Sequence, residues 1–315
     1  MKCMKSSDVI IVGSTNMDMV VNTDRIPEPG ETILANKFFM NPGGKGANQA
    51  VAVARLGGQI TFITKIGNDV FGHQSIQLFD DEGIDTKYIL SDSELPSGVA
   101  LITVDKHGEN SIVVAPGANG NLHPSHLSES VLNEIANSKI LLLQLEIPVE
   151  TVTFLADYAS SHGVKVILNP APMTEVSPEL LQKLYAITPN KTEAEILSGV
   201  KVKSIDSAKK AARIICEKGV HNVIITLGSQ GALIYEAGKF TLVEAEKVQA
   251  IDTTAAGDVF NGALVVSLSQ GKSLVNATRF ACQAAAISVT RNGAQSSIPY
   301  RNEILIEHLP LGNSL

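Results

Sequence analysis

Short runs of apolar, mostly β-branched residues alternate with longer stretches of helical periodicity through most of the 315-residue chain. The runs at 9–13, 60–64, 140–145, 164–168 and 223–227 are continuously apolar and bounded by turn or polar residues, the pattern of strands buried on both faces. Between them, 47–56, 70–81, 149–161, 192–197 and 208–218 carry helical spacing. This alternation predicts a three-layer α/β core, a mostly parallel central sheet with helices on both faces. Trp is absent and aromatics are only 4 %, so the core must be filled by Ala, Val, Ile and Leu.

Two regions break the alternation. Residues 18–23 and 31–39 are strand-like and flank Arg25-Ile-Pro-Glu-Pro-Gly30, a strong turn signal. Residues 98–104 and 111–115 form a second pair around Lys106-His-Gly108. Two strand pairs, neither interrupted by a helix, predict a small separate sheet, either an active-site lid or a plain surface layer. The chain accordingly divides into an α/β core of residues 1–16, 41–97 and 116–315 and a small β lid of residues 17–40 and 98–115.

The formal net charge of −7, with no basic stripe, excludes nucleic acid as a partner. Cys3, Cys216 and Cys282 are scattered, with no Cys-x-x-Cys or Cys/His cluster, so neither a disulfide framework nor a zinc site is expected. Cys216 and Cys282 read as buried helical packing. No stretch approaches the ~20 apolar residues of a membrane span, and the first residues lack a signal-peptide run. The expectation is a cytoplasmic protein.

Candidate chemistry gathers at junctions between elements. In Asp252-Thr-Thr-Ala-Ala-Gly-Asp258 a strand is expected to end at Asp252 and a helix to begin around 255–258. Small residues there leave backbone N–H groups uncovered at the positive end of the helix dipole, an anion site. Asp258 either caps that helix or accepts a proton from a hydroxyl. Asn41-Pro-Gly-Gly-Lys-Gly-Ala-Asn48 permits close approach of backbone to a ligand, yet it is neither a Walker loop nor a dinucleotide fingerprint. Asn16-Met-Asp18 follows the first strand, where open α/β sheets bind ligands; turn formation is the other reading. Leu143-Gln-Leu-Glu146 and Thr188-Pro-Asn-Lys-Thr-Glu193 put carboxylates on the same edge, and Asn190 with Glu193 suits a helix cap or a hydrated Mg²⁺ equally well. Thr226-Leu-Gly-Ser-Gln-Gly231 is a hairpin or a nucleotide-edge loop. Ser288 to Ser297 closes a long helix, with Gly293 expected in a left-handed C-terminal cap.

At Gly43-Gly-Lys-Gly-Ala-Asn-Gln49 together with Asp252-Thr-Thr-Ala-Ala-Gly-Asp258, the chain resembles the PfkB (ribokinase-like) carbohydrate kinases, and all six segments occur in the family's order. The resemblance implies ATP-dependent phosphorylation of a small sugar, ribose before 2-deoxyribose. Asn16, Asp18, Gly44, Lys45, Asn48 and Glu146 would hold the sugar hydroxyls. Asp258 would be the general base beside an anion hole of Ala255, Ala256 and Gly257 amides. Asn190, Thr226, Gly228, Gly231, Gly257 and Cys282 would line the ATP site, Cys282 standing where the family commonly has Asn. Glu193 would orient Mg²⁺ through water. K⁺ would lie between Asp252 and Thr254 on one side and Ser288, Arg291, Gly293 and Ser297 on the other. The lid strands imply a homodimer. A non-catalytic sugar sensor is the competing reading, disfavoured because a sensor has no use for a base at Asp258.

Overall fold

A computed structural model describes residues 7–305; Cys3 lies outside them. The strands are β1 Val9–Val12, β2 Asn16–Asn22, β3 Lys37–Gly43, β4 Ile60–Gly67, β5 Ile89–Asp92, β6 Gly98–Val104, β7 Asn110–Ala115, β8 Ile140–Leu143, β9 Lys165–Leu168, β10 Ala186–Ile187, β11 Asn222–Thr226, β12 Ala232–Glu236 and β13 Lys239–Val243. Nine of them form one sheet in the order β13-β12-β11-β10-β9-β8-β1-β4-β5. It is parallel from β11 to β5, and β12 turns back antiparallel on β11. Helices cover both faces, each over its own apolar cluster. Ile10, Val12, Leu141 and Leu143 point into one cluster, and Val9, Ile11, Ile140 and Leu142 into the other. Burial on both faces explains why these strands are continuous apolar runs rather than alternating ones.

The second sheet has the order β3-β2-β6-β7, with β2 and β6 parallel and the outer strands antiparallel to them. The expected strand over 31–39 is displaced: residues 31–36 are irregular and exposed, and pairing begins at Lys37. Register decides this, because Asn22 pairs with Lys37 and Asn16 with Gly43. The chain ahead of Lys37 therefore has no partner strand. The expected strand ending at Asp252 is also absent; residues 244–252 are irregular. Gly293 does adopt φ +89°, but the helix Leu274–Ser288 ends at Val289, so the glycine turns the following loop and is not the helix cap.

β5 is tied to the core by a buried ion pair just before the chain enters the small sheet. Lys65 Nζ lies 2.9 Å from Asp92 Oδ2, and Asn121 Nδ2 donates to the same oxygen. Lys65, then the Leu95 amide and Asn121, hold the Asp92 carboxyl well below the usual range.

Candidate active site

The turn Gly43–Lys45 lies directly on the exit from β1. A Cβ on Gly43 would sit 2.2 Å from Asp18 Oδ2, and one on Gly44, whose φ is +90°, would sit 2.8 Å from the Asn16 amide. Only glycine allows that approach. It delivers the start of the helix Lys45–Arg55 to Glu146, beyond β8. The Lys45 amide donates to Glu146 Oε2 at 3.0 Å, Lys45 Nζ lies 3.8 Å from Oε1, and Ser14 Oγ donates to Oε2 at 2.5 Å. Asp18, on β2, feels the same group. Burial first, then Glu146 and Asp258, push its carboxyl up to about 6 against the opposing pull of Lys45. Burial disfavours charge on Lys45, but Asp258, Glu146, Glu193 and Asp18 together raise its pKa. One ammonium thus faces four carboxylates.

Asp258 lies on the first turn of the helix Ala256–Ser269 and is buried. Asn48 Nδ2 donates to its Oδ2 and Gln49 Nε2 to its Oδ1, both at 3.0 Å. Burial pushes its carboxyl up, while Lys45, Asn48 and Gln49 pull it down. Side-chain amides hold the carboxylate in place, and it caps no helix. Behind it, Gln49 also donates to Asn169 Oδ1, and Gln144 Nε2 donates to Gln49 Oε1 at 2.6 Å. Asn48 Oδ1 is buried and has no partner. The two helices meet where Gly262 faces Ala52: a Cβ on Gly262 would lie 2.5 Å from that of Ala52. Ala255 takes φ +58° and turns the chain into the helix. The Ala256 amide donates to Thr253 O at 3.2 Å, whereas the Ala255 and Gly257 amides have no protein acceptor among the described residues. Gly257 is exposed, and a Cβ there would meet nothing within 4 Å.

On the β10–β11 edge, Asn190 and Glu193 form a reciprocal capping box. Glu193 Oε2 accepts the Asn190 amide, its Oε1 accepts Asn190 Nδ2, and Asn190 Oδ1 accepts the Glu193 amide, at 2.8–2.9 Å. Burial raises the Glu193 carboxyl, the Asn190 amide and Lys45 opposing it. Asn190 bridges to Thr226, after which Gly228 and Gly231 turn the chain into β12. The loop is a hairpin between β11 and β12 and lies beside the capping box. Cys282 is buried in the core under β12 and β13, and lost hydration pushes its thiol up to about 12.

Behind the Asp258 helix, Asp252 joins two loops. Its Oδ1 accepts the Thr254 amide and hydroxyl at 2.9 and 2.6 Å, and its Oδ2 accepts the Gly293 amide at 2.8 Å. Burial works against its charge, but these donors hold its pKa below the usual value. Ser288 and Ser297 are buried nearby in the chain, their hydroxyls returned to the Ala285 and Ala294 carbonyls. The Arg291 side chain leaves this group and pairs with Glu303. Ser14, Asn119 and Asn169 belong to the site although no motif singled them out, and Gln49 and Gln144 stood inside motifs without a role of their own. Their signal was polarity inside apolar stretches, as in Leu141-Leu-Leu-Gln144, where an unpaired amide is costly and so needs a partner.

Comparison with known proteins places this geometry. The pfkB family carbohydrate kinase model matches residues 6–301. A ribokinase of Haemophilus influenzae is 49 % identical, covering 95 % of this chain and 98 % of its own. A deoxyribokinase of Salmonella typhi is 38 % identical, covering 93 % and 95 %. The structure of Arabidopsis thaliana ribokinase complexed with ribose and ATP superposes with a TM-score of 0.90 at 34 % identity, covering 96 % of this chain and 98 % of that one. The chain belongs to the pfkB family of carbohydrate kinases.

Proposed function

We propose that this protein is a ribokinase, transferring the γ-phosphoryl group of ATP to the 5-hydroxyl of D-ribose to give D-ribose 5-phosphate and ADP. One observation carries the reading. A buried carboxylate, Asp258, is held by two side-chain amides beside unpaired backbone amides at a helix N-terminus, and its charge is coupled to those of Asp18, Lys45 and Glu146. Asp258 takes the hydroxyl proton as the oxygen–phosphorus bond forms and the bond to ADP breaks. The Ala255 and Gly257 amides meet the charge on the phosphoryl oxygens. Asn16, Asp18, Gly44, Lys45, Asn48 and Glu146 orient the sugar, and the orphan Asn48 Oδ1 awaits a hydroxyl donor.

The Asn190–Glu193 box and the Thr226–Gly231 loop, with Gly257 in front, form the nucleotide side, with Cys282 behind it in the core. Among the described residues no cluster of three or more His, Cys, Asp or Glu side chains could hold a bare metal. Glu193 fits hydrated Mg²⁺, which needs few protein ligands and neutralises polyphosphate charge when bound. The donor set around Asp252 is all oxygen and carries a carboxylate held in its charged form, which fits K⁺. Asp252 and Thr254 with Ser288, Gly293, Ser297 and the Arg291 backbone would hold that ion and steady the Ala255 turn. The small sheet closes over the cleft as a lid. No helix among the described residues is long and apolar enough to cross a membrane, and Cys216 and Cys282 are unpaired; both accord with the cytoplasm.

The deoxyribokinase relative makes 2-deoxyribose the second reading. A panel of pentoses and hexoses with ATP, run in potassium and again in sodium, decides the matter. The highest kcat/KM should fall on ribose, with faster turnover in potassium. A preference for 2-deoxyribose or a hexose overturns the acceptor assignment, and a rate indifferent to the cation removes the K⁺ site.

A further inference from the structure

Asn119 lies beyond β7, on the return from the small sheet to the core, and is 1 % exposed. Every contact of its side-chain amide is with the junction before β2. Oδ1 accepts the Thr15 amide at 2.9 Å. Nδ2 donates to the Thr15 carbonyl at 3.0 Å and to Asn16 Oδ1 at 2.8 Å. A side-chain amide is ordinarily free to present either end. Here it is not, because a backbone N–H can only donate and a backbone C=O can only accept. Thr15 therefore fixes which end of Asn119 is nitrogen, and that nitrogen fixes which end of Asn16 is oxygen. The consequence reaches the site: Asn16 is 5 % exposed, and its Nδ2 has no protein acceptor among the described residues.

The contact occupies space that a side chain would otherwise fill. A Cβ on Gly98, the first residue of β6, would stand 2.2 Å from Asn16 Oδ1 and 2.3 Å from Asn119 Nδ2. The backbone at Gly98 is not in the left-handed region, so room alone requires the glycine.

We propose that Asn119 is a positioning residue that locks the Asn16 amide with its donor end toward the sugar, so that Asn16 recognises a hydroxyl oxygen acting as acceptor. The proposal rests on Asn16 being a sugar contact, and the test separates the two. Sugar KM, ATP KM, kcat and melting temperature are measured for the wild type, Asn16→Ala, Asn119→Ser and the double variant. A lost or misdirected hydrogen bond of this kind weakens binding about three- to tenfold. Asn119→Ser should raise sugar KM by about that factor while ATP KM and kcat stay within about twofold. The double variant should bind sugar no worse than Asn16→Ala alone. Additive effects in the double variant, or an unchanged sugar KM in Asn119→Ser, overturn the proposal. An unchanged sugar KM in Asn16→Ala instead removes the sugar contact itself.

Two further variants guard against a folding defect at position 119. Gly98→Ala intrudes on the same contact from the other side and should raise sugar KM in the same way. Asn16→Asp keeps an acceptor for Asn119 but, ionised, has no donor to offer, so it should stay folded and lose sugar affinity. Full affinity in Asn16→Asp would show that the outward end need not donate, and would overturn the proposal.

Discussion

Asp18 is one of four carboxylates whose charge acts on Lys45, and its carboxyl is pushed up to about 6 by burial, Glu146 and Asp258. A carboxyl raised in the folded state binds its proton more tightly there than in the unfolded chain. Its charge therefore costs stability as pH rises from about 4 through 6. In the proposed sugar site function runs the other way, since a carboxylate can accept a hydroxyl hydrogen bond through each oxygen, whereas the protonated carboxyl turns one of them into a donor. Asp18→Asn should raise the melting temperature at pH 7.5 and raise sugar KM by about tenfold or more, the worth of a charged hydrogen bond. In the wild type, sugar KM should climb below pH 6. Thermal scans and KM measured against pH test this; a variant that melts lower, or a KM flat from pH 5 to 8, contradicts it. The role of Asp258 was only half legible in the sequence. Its place on a first helical turn suggests a cap, and it is Asn48 and Gln49, some 210 residues away, that hold it as a buried carboxylate. No local pattern encodes such a contact.

At the scale of elements, the site depends on how closely two helices approach. Asn48 and Gln49 reach Asp258 because Gly262 packs against Ala52 with no room for a methyl group. Gly262→Val should push the helices apart, lower stability by about 1–3 kcal/mol, and reduce kcat by drawing both amides away from Asp258. Calorimetry and turnover check this together, and a stable, fully active variant would show that the approach is not needed. The core strands were legible because burial on both faces leaves an unbroken apolar run, as at Ile140–Leu143. Residues 31–36 were misread because a strand needs a partner as well as propensity, and the register of β2 against β3 supplies none there. The strand expected to end at Asp252 is absent for the same reason. Asp252 is tied to the Gly293 loop by its side chain and to Val289 by its backbone amide.

For the whole molecule, the small sheet presents two faces. Asp18, Asn41, Ala100 and Val114 align on one, above the cleft. Met40, Met19, Leu101 and Val113 align on the other, and Met40, Leu101 and Val113 are each about half exposed or more. Apolar side chains aligned in this way mark an interaction surface, and a second copy of the sheet is the occupant we propose. Leu101→Asp should convert a dimer into a monomer in sedimentation velocity while the monomer stays folded. A wild type that sediments as a monomer at micromolar concentration would remove the dimer from the account.

Asp258 is the group proposed to take the proton. The most direct test is the steady-state rate of Asp258→Asn with ribose and ATP beside the wild type. The substituted amide keeps one oxygen to accept from Asn48 or Gln49, and kcat should fall by about 10²–10⁴-fold with ribose KM changed far less. Turnover near that of the wild type would contradict the assignment.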